Sequence, residues 1–488
     1  MESTRVGMTE NVSVLIRSAA ELFVRCDRIK RYFHTKSQPK VGEHQHFART
    51  VCNSLEAIES AAVIAISRYR THSRTGDVTE AEEAFKNLKA DLAKFCEYFA
   101  KIHEVLVYLP RPPIPPEVDF CMQHSFGALY NTMNPTTILG SVFNALTYDF
   151  FLKITERIPD VSHIMPKGTS DIFIELPISD RNSPLFWPIL AHEIGHSIDR
   201  RLGISTEAVD QMFKSRDFFE YERTARWCRE IAADFIAAKA IGPAPMLALV
   251  MLDTCFCCRV PQLLSPRVHM THPPTRWRVK AMTELLPLPE EFDAHNQARQ
   301  VLEDAFEMEL TLLFTSDVAK KIRKKDAELY ASLIYDPATE IFHKLDAIEL
   351  PGYNLSNASL KRLQDRLRRN LPIGAQGRDR TELNELLDKY EKGLSEGTHL
   401  VYEEQVRRFQ NLTDSFAEDP ADLASIFTAG IVRREEILRG HLQQPDSLSS
   451  QEKVREMAED LLQLDDLIIS SIKSVNVHHS LLARMRTN

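Results

Sequence analysis

The stretch from Trp187 to Gly203, WPILAHEIGHSIDRRLG, constrains this chain more than any other. Pro188 suits the first turn of a helix, where its missing N–H is not needed. Gly203 suits the residue just past a helix end, where the backbone often turns left-handed. Between them Ile189, Leu190, Ile194 and Ile198 recur at helical spacing, so one flank of the helix is predicted to be buried. His192 and His196 stand one turn apart on this helix, about 40° apart at roughly 100° per residue. Gly195, between them, leaves room for a second backbone or a substrate to come close.

Two imidazoles so placed can bind one tetrahedral Zn²⁺. Glu193 lies about 100° round from His192. That is too far round for the natural third ligand, but near enough to reach a water on the metal. Zinc lowers the pKa of such a water to near 7, and a carboxylate beside it can take the proton. H-E-x-x-H is only five residues, so a metal site also needs a third ligand and an orienting partner.

Both are found in Trp227 to Pro243, WCREIAADFIAAKAIGP. Glu230 and Asp234 fall one turn apart on a helix whose other positions are small or apolar, among them Ile231, Ala232, Ala233, Phe235 and Ile236. A carboxylate on such a helix is costly unless it is paired or coordinates a metal. Glu230 is therefore expected as the third zinc ligand. Asp234 is expected to accept the ring N–H of a ligating histidine and fix its tautomer. The alanines let this helix pack close to the His192 helix. A third piece is Thr271-His-Pro-Pro-Thr-Arg-Trp-Arg-Val-Lys-Ala-Met282. It places His272 at the mouth of a helix and Arg278 inside it, where both could donate hydrogen bonds to an oxyanion opposite the zinc.

Together the three motifs, H-E-I-G-H at 192–196, E-I-A-A-D at 230–234 and T-H-P-P-x-x-x-R at 271–278, resemble the gluzincin zinc metallopeptidases. They look most like the HtpX-type and CAAX-prenyl-type endopeptidases and their small soluble relatives. The resemblance covers roughly residues 170–285, about a quarter of the chain. It implies a zinc held by His192, His196 and Glu230, with Glu193 as general base and general acid. It also implies a substrate or transition-state role for His272 and Arg278. The transmembrane helices of the membrane members have no counterpart here, and neither do the long helical arms on either side have one there.

The remaining chain reads as helices. Only 16 of 488 residues are Gly, which argues against a β-rich architecture. Apolar positions Leu15, Ala19, Leu22, Cys26, Ile29 and Phe33 mark a first helix, Phe47–Tyr69 a second, and Thr79–Tyr108 a third, opened by a Thr79/Glu82 capping box. Pro110, Pro112, Pro113, Pro115 and Pro116 make a stiff connector. Asp171–Leu176, bounded by Gly168 and Pro177, reads as a strand. It either offers its edge to an extended peptide or completes a small sheet. Gly242–Cys258 reads as a buried core helix, and Glu290–Leu333 as one long helix carrying a basic patch from Lys320 to Lys325. The expected fold is mainly α, with an α+β gluzincin-like catalytic core. Its parts are a helical N-terminal region at 1–109, a Pro-rich linker at 110–116, the metallopeptidase core at 117–287 and a helical C-terminal region at 288–488.

A net charge of −9 supplies no global basic field for nucleic acid. Eight cysteines, scattered except for Cys255, Cys257 and Cys258, form no secreted disulfide framework, so a reducing, cytoplasmic compartment is expected. No signal peptide or comfortable membrane span is visible. The expected function is a zinc endopeptidase acting on a protein or peptide substrate, with no membrane or nucleic-acid partner. Two alternatives are a helical interaction or regulatory protein with a structural or degenerate zinc site, and a zinc hydrolase of a non-peptide amide.

Overall fold

The computed structural model describes residues 2–34, 42–73, 78–106, 114–122, 138–143, 149–151, 172–212, 218–256, 272–286, 294–348, 357–373, 422–443 and 450–487. Pro110 to Pro113, Thr271, Cys257, Cys258 and the loop expected at Gly352 lie outside these residues. The described chain is mainly α-helical.

The three amphipathic patterns at the N-terminus form α1 (Glu2–His34), α2 (Gly42–Ser73) and α3 (Val78–Val105), which pack on one another. Within α2, Ala48–His72 is long and apolar enough by composition to cross a membrane, and 44% of its most apolar window is buried against the protein. Pro115 and Pro116 open the short helix α4 (Pro116–Cys121), where a fixed φ suits the first turn.

Three strands follow: β1 (Ile138–Phe143), β2 (Asp149–Phe151) and β3 (Ile172–Pro177). Their order is β1-β3-β2. β3 pairs in parallel with β1, Ile138 opposite Ile172, and antiparallel with β2, Asp149 opposite Glu175. The predicted strand is therefore central. Both sides of its ladder are occupied, so the expectation that it offers an edge to a peptide gives way to the other reading: it completes a small sheet.

Two single 3₁₀ turns, Ile178–Asp180 and Pro184–Phe186, lead into α5 (Ile189–Leu202). Pro188 precedes its first residue. Gly203 ends it in the left-handed region (φ 67°, ψ 21°), its N–H donating to the Asp199 carbonyl at 2.7 Å. Next come α6 (Ile204–Met212), α7 (Phe218–Ile241), α8 (Ala244–Phe256) and α9 (Thr275–Leu285). The apolar run in α8 is a core helix as expected, with Met246, Leu247 and Met251 buried.

The single helix expected over Glu290–Leu333 is two. α10 (Ala294–Leu313) and α11 (Ser316–Tyr330) are separated where Thr315 takes extended backbone (φ −67°, ψ 158°). The break lets Phe306 and Leu310 close on Ala319 in a small apolar cluster. Beyond lie α12 (Asp336–Asp346), α13 (Asn357–Arg368), α14 (Leu423–Gln443) and α15 (Ser450–Thr487). One apolar core runs from Leu22 and Ile29 on α1, through Ile194 and Phe235, to Phe427 and Ile468. The segments 1–109, 117–287 and 288–488 share it.

Two contacts fix α5. On one flank it meets α7 at very short range: a Cβ added at Gly195 would lie 2.7 Å from the Ala233 carbonyl oxygen and 2.9 Å from its Cα. Only glycine at 195 permits this approach, because the atoms it meets are the backbone of Ala233. On its N-terminal side, α1 grips the preceding turn. Arg25 reaches Asp180 at 3.0 and 3.1 Å and Ser179 at 3.2 Å, its guanidinium 4.8 Å from the Phe186 ring centre. Trp187 Nε1 donates to the Asp180 carbonyl at 3.1 Å. Both charged side chains are fully buried, so each depends on the other.

Gly195→Ala forces α5 and α7 apart and should lower stability by about 1–3 kcal/mol, as overpacking does, read by denaturant unfolding. Arg25→Met leaves Asp180 buried and unpaired and should cost about 3–5 kcal/mol. An unchanged unfolding midpoint for Arg25→Met would show that this pair does not anchor the segment.

Candidate metal centre

α5 and α7 run antiparallel, with His192 beside Asp234, Gly195 beside Ala233 and His196 beside Glu230. The i, i+4 spacing within each helix brings four side chains to one place. His192 Nε2 lies 3.3 Å from Glu230 Oε2, and His196 Nε2 3.5 Å from Glu230 Oε1. The two imidazole rings are 4.6 Å apart and steeply inclined, at 77°. Candidate ligand atoms of His192, His196 and Glu230 all fall within 4.8 Å of one another. Ligands held about 2.1 Å from one tetrahedral ion are about 3.4 Å from each other, so the nitrogen–oxygen separations fit a single ion. Glu230 Oε2 is buried and accepts no hydrogen bond, which leaves it a free lone pair toward that point. This group could hold a metal ion.

Behind it, His192 Nδ1 lies 2.9 Å from Asp234 Oδ1. A carboxylate there keeps the proton on Nδ1 and turns Nε2 toward Glu230. Asp234 is held in turn by Arg278 on α9, whose Nε and Nη2 each donate to one carboxylate oxygen at 2.7 Å. Arg278 Nη2 is also 3.5 Å from His192 Nδ1 and 3.7 Å from Glu230 Oε2.

Electrostatics follow from this packing. Burial disfavours an imidazolium at His192, but Asp234 and Glu230 outweigh it and raise the pKa to about 10. Burial and the neighbouring His192 charge push His196 down to about 3. Burial alone would raise Glu230 and Asp234, yet the two histidines and Arg278 hold Glu230 well below the usual carboxylate range, and Arg278 and His192 lower Asp234.

His272 precedes the Pro273-Pro274 step into α9. Its Nε2 is 3.5 Å from Glu230 Oε1, and its side chain is 59% exposed, so it faces the cluster from the solvent side. Glu193 is half-buried on α5 beside His192. The structure thus gathers His192, His196, Glu230, Asp234, His272 and Arg278 at one place. Arg278 commits its Nε and Nη2 to Asp234 beneath His192. A buried guanidinium needs a buried carboxylate, and Asp234 is that partner. Sequence spacing gave no sign of this bidentate pair, nor of the Trp227–Trp277 contact (ring centres 6.1 Å apart) that seats α9 on α7. No family model, curated protein or solved structure matches this chain.

Asp234→Ala should weaken metal binding by about 10–100-fold, the usual effect of losing such an orienting partner. Arg278→Lys, which cannot keep both bonds, should weaken it in the same direction. Competition against a chromophoric chelator measures both, with circular dichroism to confirm the fold. Unaltered affinity in Asp234→Ala would remove Asp234 from any orienting role.

Proposed function

We propose that this protein is a zinc-dependent endopeptidase whose α+β core, the small sheet beside α5 and α7, is of the gluzincin kind. The observation that carries the reading is the buried His192–His196–Glu230 group with Glu193 next to it. Structural zinc sites close with four protein ligands, whereas catalytic sites combine three with an open position. Among the described residues three ligand side chains cluster, and the nearby His272 and Glu193 are not fully buried. That favours catalysis over a purely structural site in a helical scaffold.

His192 Nε2, His196 Nε2 and a Glu230 oxygen would hold the zinc. Zinc so held lowers the pKa of a bound water to near 7 and polarises a carbonyl. A carboxylate oxygen of Glu193 takes the proton from the attacking water and returns it to the leaving amine nitrogen. His272, exposed above Glu230, donates to the developing oxyanion. Asp234 and Arg278 hold His192 in the required tautomer. The expected substrate is a protein or peptide, and the buried thiols Cys26, Cys52, Cys96, Cys121 and Cys228, none in a disulfide, suit a reducing compartment.

Elemental analysis of purified protein should find about one zinc per chain. Glu193→Gln should keep the metal and abolish peptide hydrolysis, while Glu230→Ala should lose the metal. Folded wild-type protein without metal affinity would refute the assignment, and full hydrolysis by Glu193→Gln would refute the role of Glu193.

A further inference from the structure

The metal-holding face of α5 and α7 continues beyond the ligands. On α5, Arg200 follows His196 by one turn and about 40° further round. On α7, Arg226 and Arg223 precede Glu230 by one and two turns, within about 40° of its direction. Because the helices are antiparallel, all three arginines fall at the same end of the seam. Residues 197–202 of α5 and 222–229 of α7 hold five arginines and two acids, Asp199 and Glu222, in a chain whose net charge is −9. Asp199 is buried and held by Ser205, whose N–H and hydroxyl donate at 2.8 and 2.6 Å, with Arg229 and Arg200 close enough to stabilise its charge. Glu222 bonds Arg226 at 2.5 Å with both side chains 42% exposed. Such an exposed pair is weak and exchanges readily with another carboxylate.

Arg223 adds an independent sign of a ligand. Its guanidinium lies 5.2 Å from the ring centre of fully buried Trp227, which holds it in place. The residue is half-buried, and among the described residues its guanidinium makes no hydrogen bond or ion pair. A guanidinium held over a ring with no carboxylate partner of its own can take one from a ligand.

Resting on the peptidase reading, we infer that this arginine end of the seam selects acidic substrates. Arg223 is seven residues from Glu230, about 10 Å along the helix. An extended peptide advances about 3.3 Å per residue, so the selected Asp or Glu stands about three residues from the scissile bond. Arg223 and Arg226 receive its carboxylate, and Arg200 forms the opposite wall.

Binding and cleavage test the inference separately. Zinc-loaded Glu193→Gln protein is titrated with fluorescent peptides carrying Glu, Gln or Lys three residues to either side of a common central pair. The Glu peptide on one side is expected to bind at least tenfold tighter than its Gln counterpart. That preference should collapse in Arg223→Gln and in Arg226→Gln, which sits on the exposed side and is tolerated by the fold. Arg223→Glu should shift preference to the Lys peptide. Equal affinity for Glu and Gln peptides, or binding of neither, overturns the inference. In wild-type protein the same discrimination should appear in kcat/KM. Equal cleavage of both peptides overturns acidic selection and leaves the peptidase standing. Arginine-dependent binding of the acidic peptide with no cleavage by zinc-loaded wild type overturns the peptidase and leaves the acidic site.

Discussion

His192, Glu230, Asp234 and Arg278 are all removed from water at one seam, each less than a tenth exposed. Every one of these groups would be costly alone, and together they are tolerable only while their bonds hold their geometry. Three helices must therefore keep a fixed relation. α5 supplies the histidine, α7 the two carboxylates and α9 the arginine. The glycine–alanine contact between Gly195 and Ala233 sets the first distance, and Trp277 packed on Trp227 sets the second. Arg278 is the outermost member of a chain of bonds that ends at His192 Nε2.

The helical arms, which among the described residues add no side chain to the metal-ligand group, have a physical role at the turn before α5. Residues 178–187 are held from two sides. α1 brings Arg25 to Asp180. α14 brings Gly430 so close that an added Cβ would lie 2.7 Å from a Leu185 methyl and 2.8 Å from Ile468 on α15. The N-terminal and C-terminal regions thus close on the same segment, and α1 and α15 are themselves tied by the buried Arg28–Asp465 pair. A small centre of ligands is kept in register by most of the molecule.

Much of the centre was legible in the sequence because its key relations are local. His192 and His196, or Glu230 and Asp234, share a face whenever their segment is helical, and Pro188 and Gly203 mark where one helix begins and ends. The alanines around Asp234 announced a close helix contact. Relations between elements were less legible. Arg278 was recognised as belonging to the site, yet no spacing rule says which of its neighbours a guanidinium will bond. Glu21, Arg25 and Arg28 on α1 look like part of a solvated face, although all three are buried. β3 was readable as a strand, but its central place depends on β1 and β2 lying on either side.

Helix periodicity, the ligand spacing and the choice of residue types for a two-histidine, one-carboxylate group follow from the sequence by itself, since each depends on neighbours within a turn or two. Tertiary structure alone decided that Arg278 buttresses Asp234, that Arg25 anchors Asp180, and that Arg200, Arg223 and Arg226 gather at one end of the seam. Those outcomes depend on which helices meet and in which direction. The antiparallel docking of α5 on α7 sets them, and side chains far apart in the chain then find the counter-charges that burial requires.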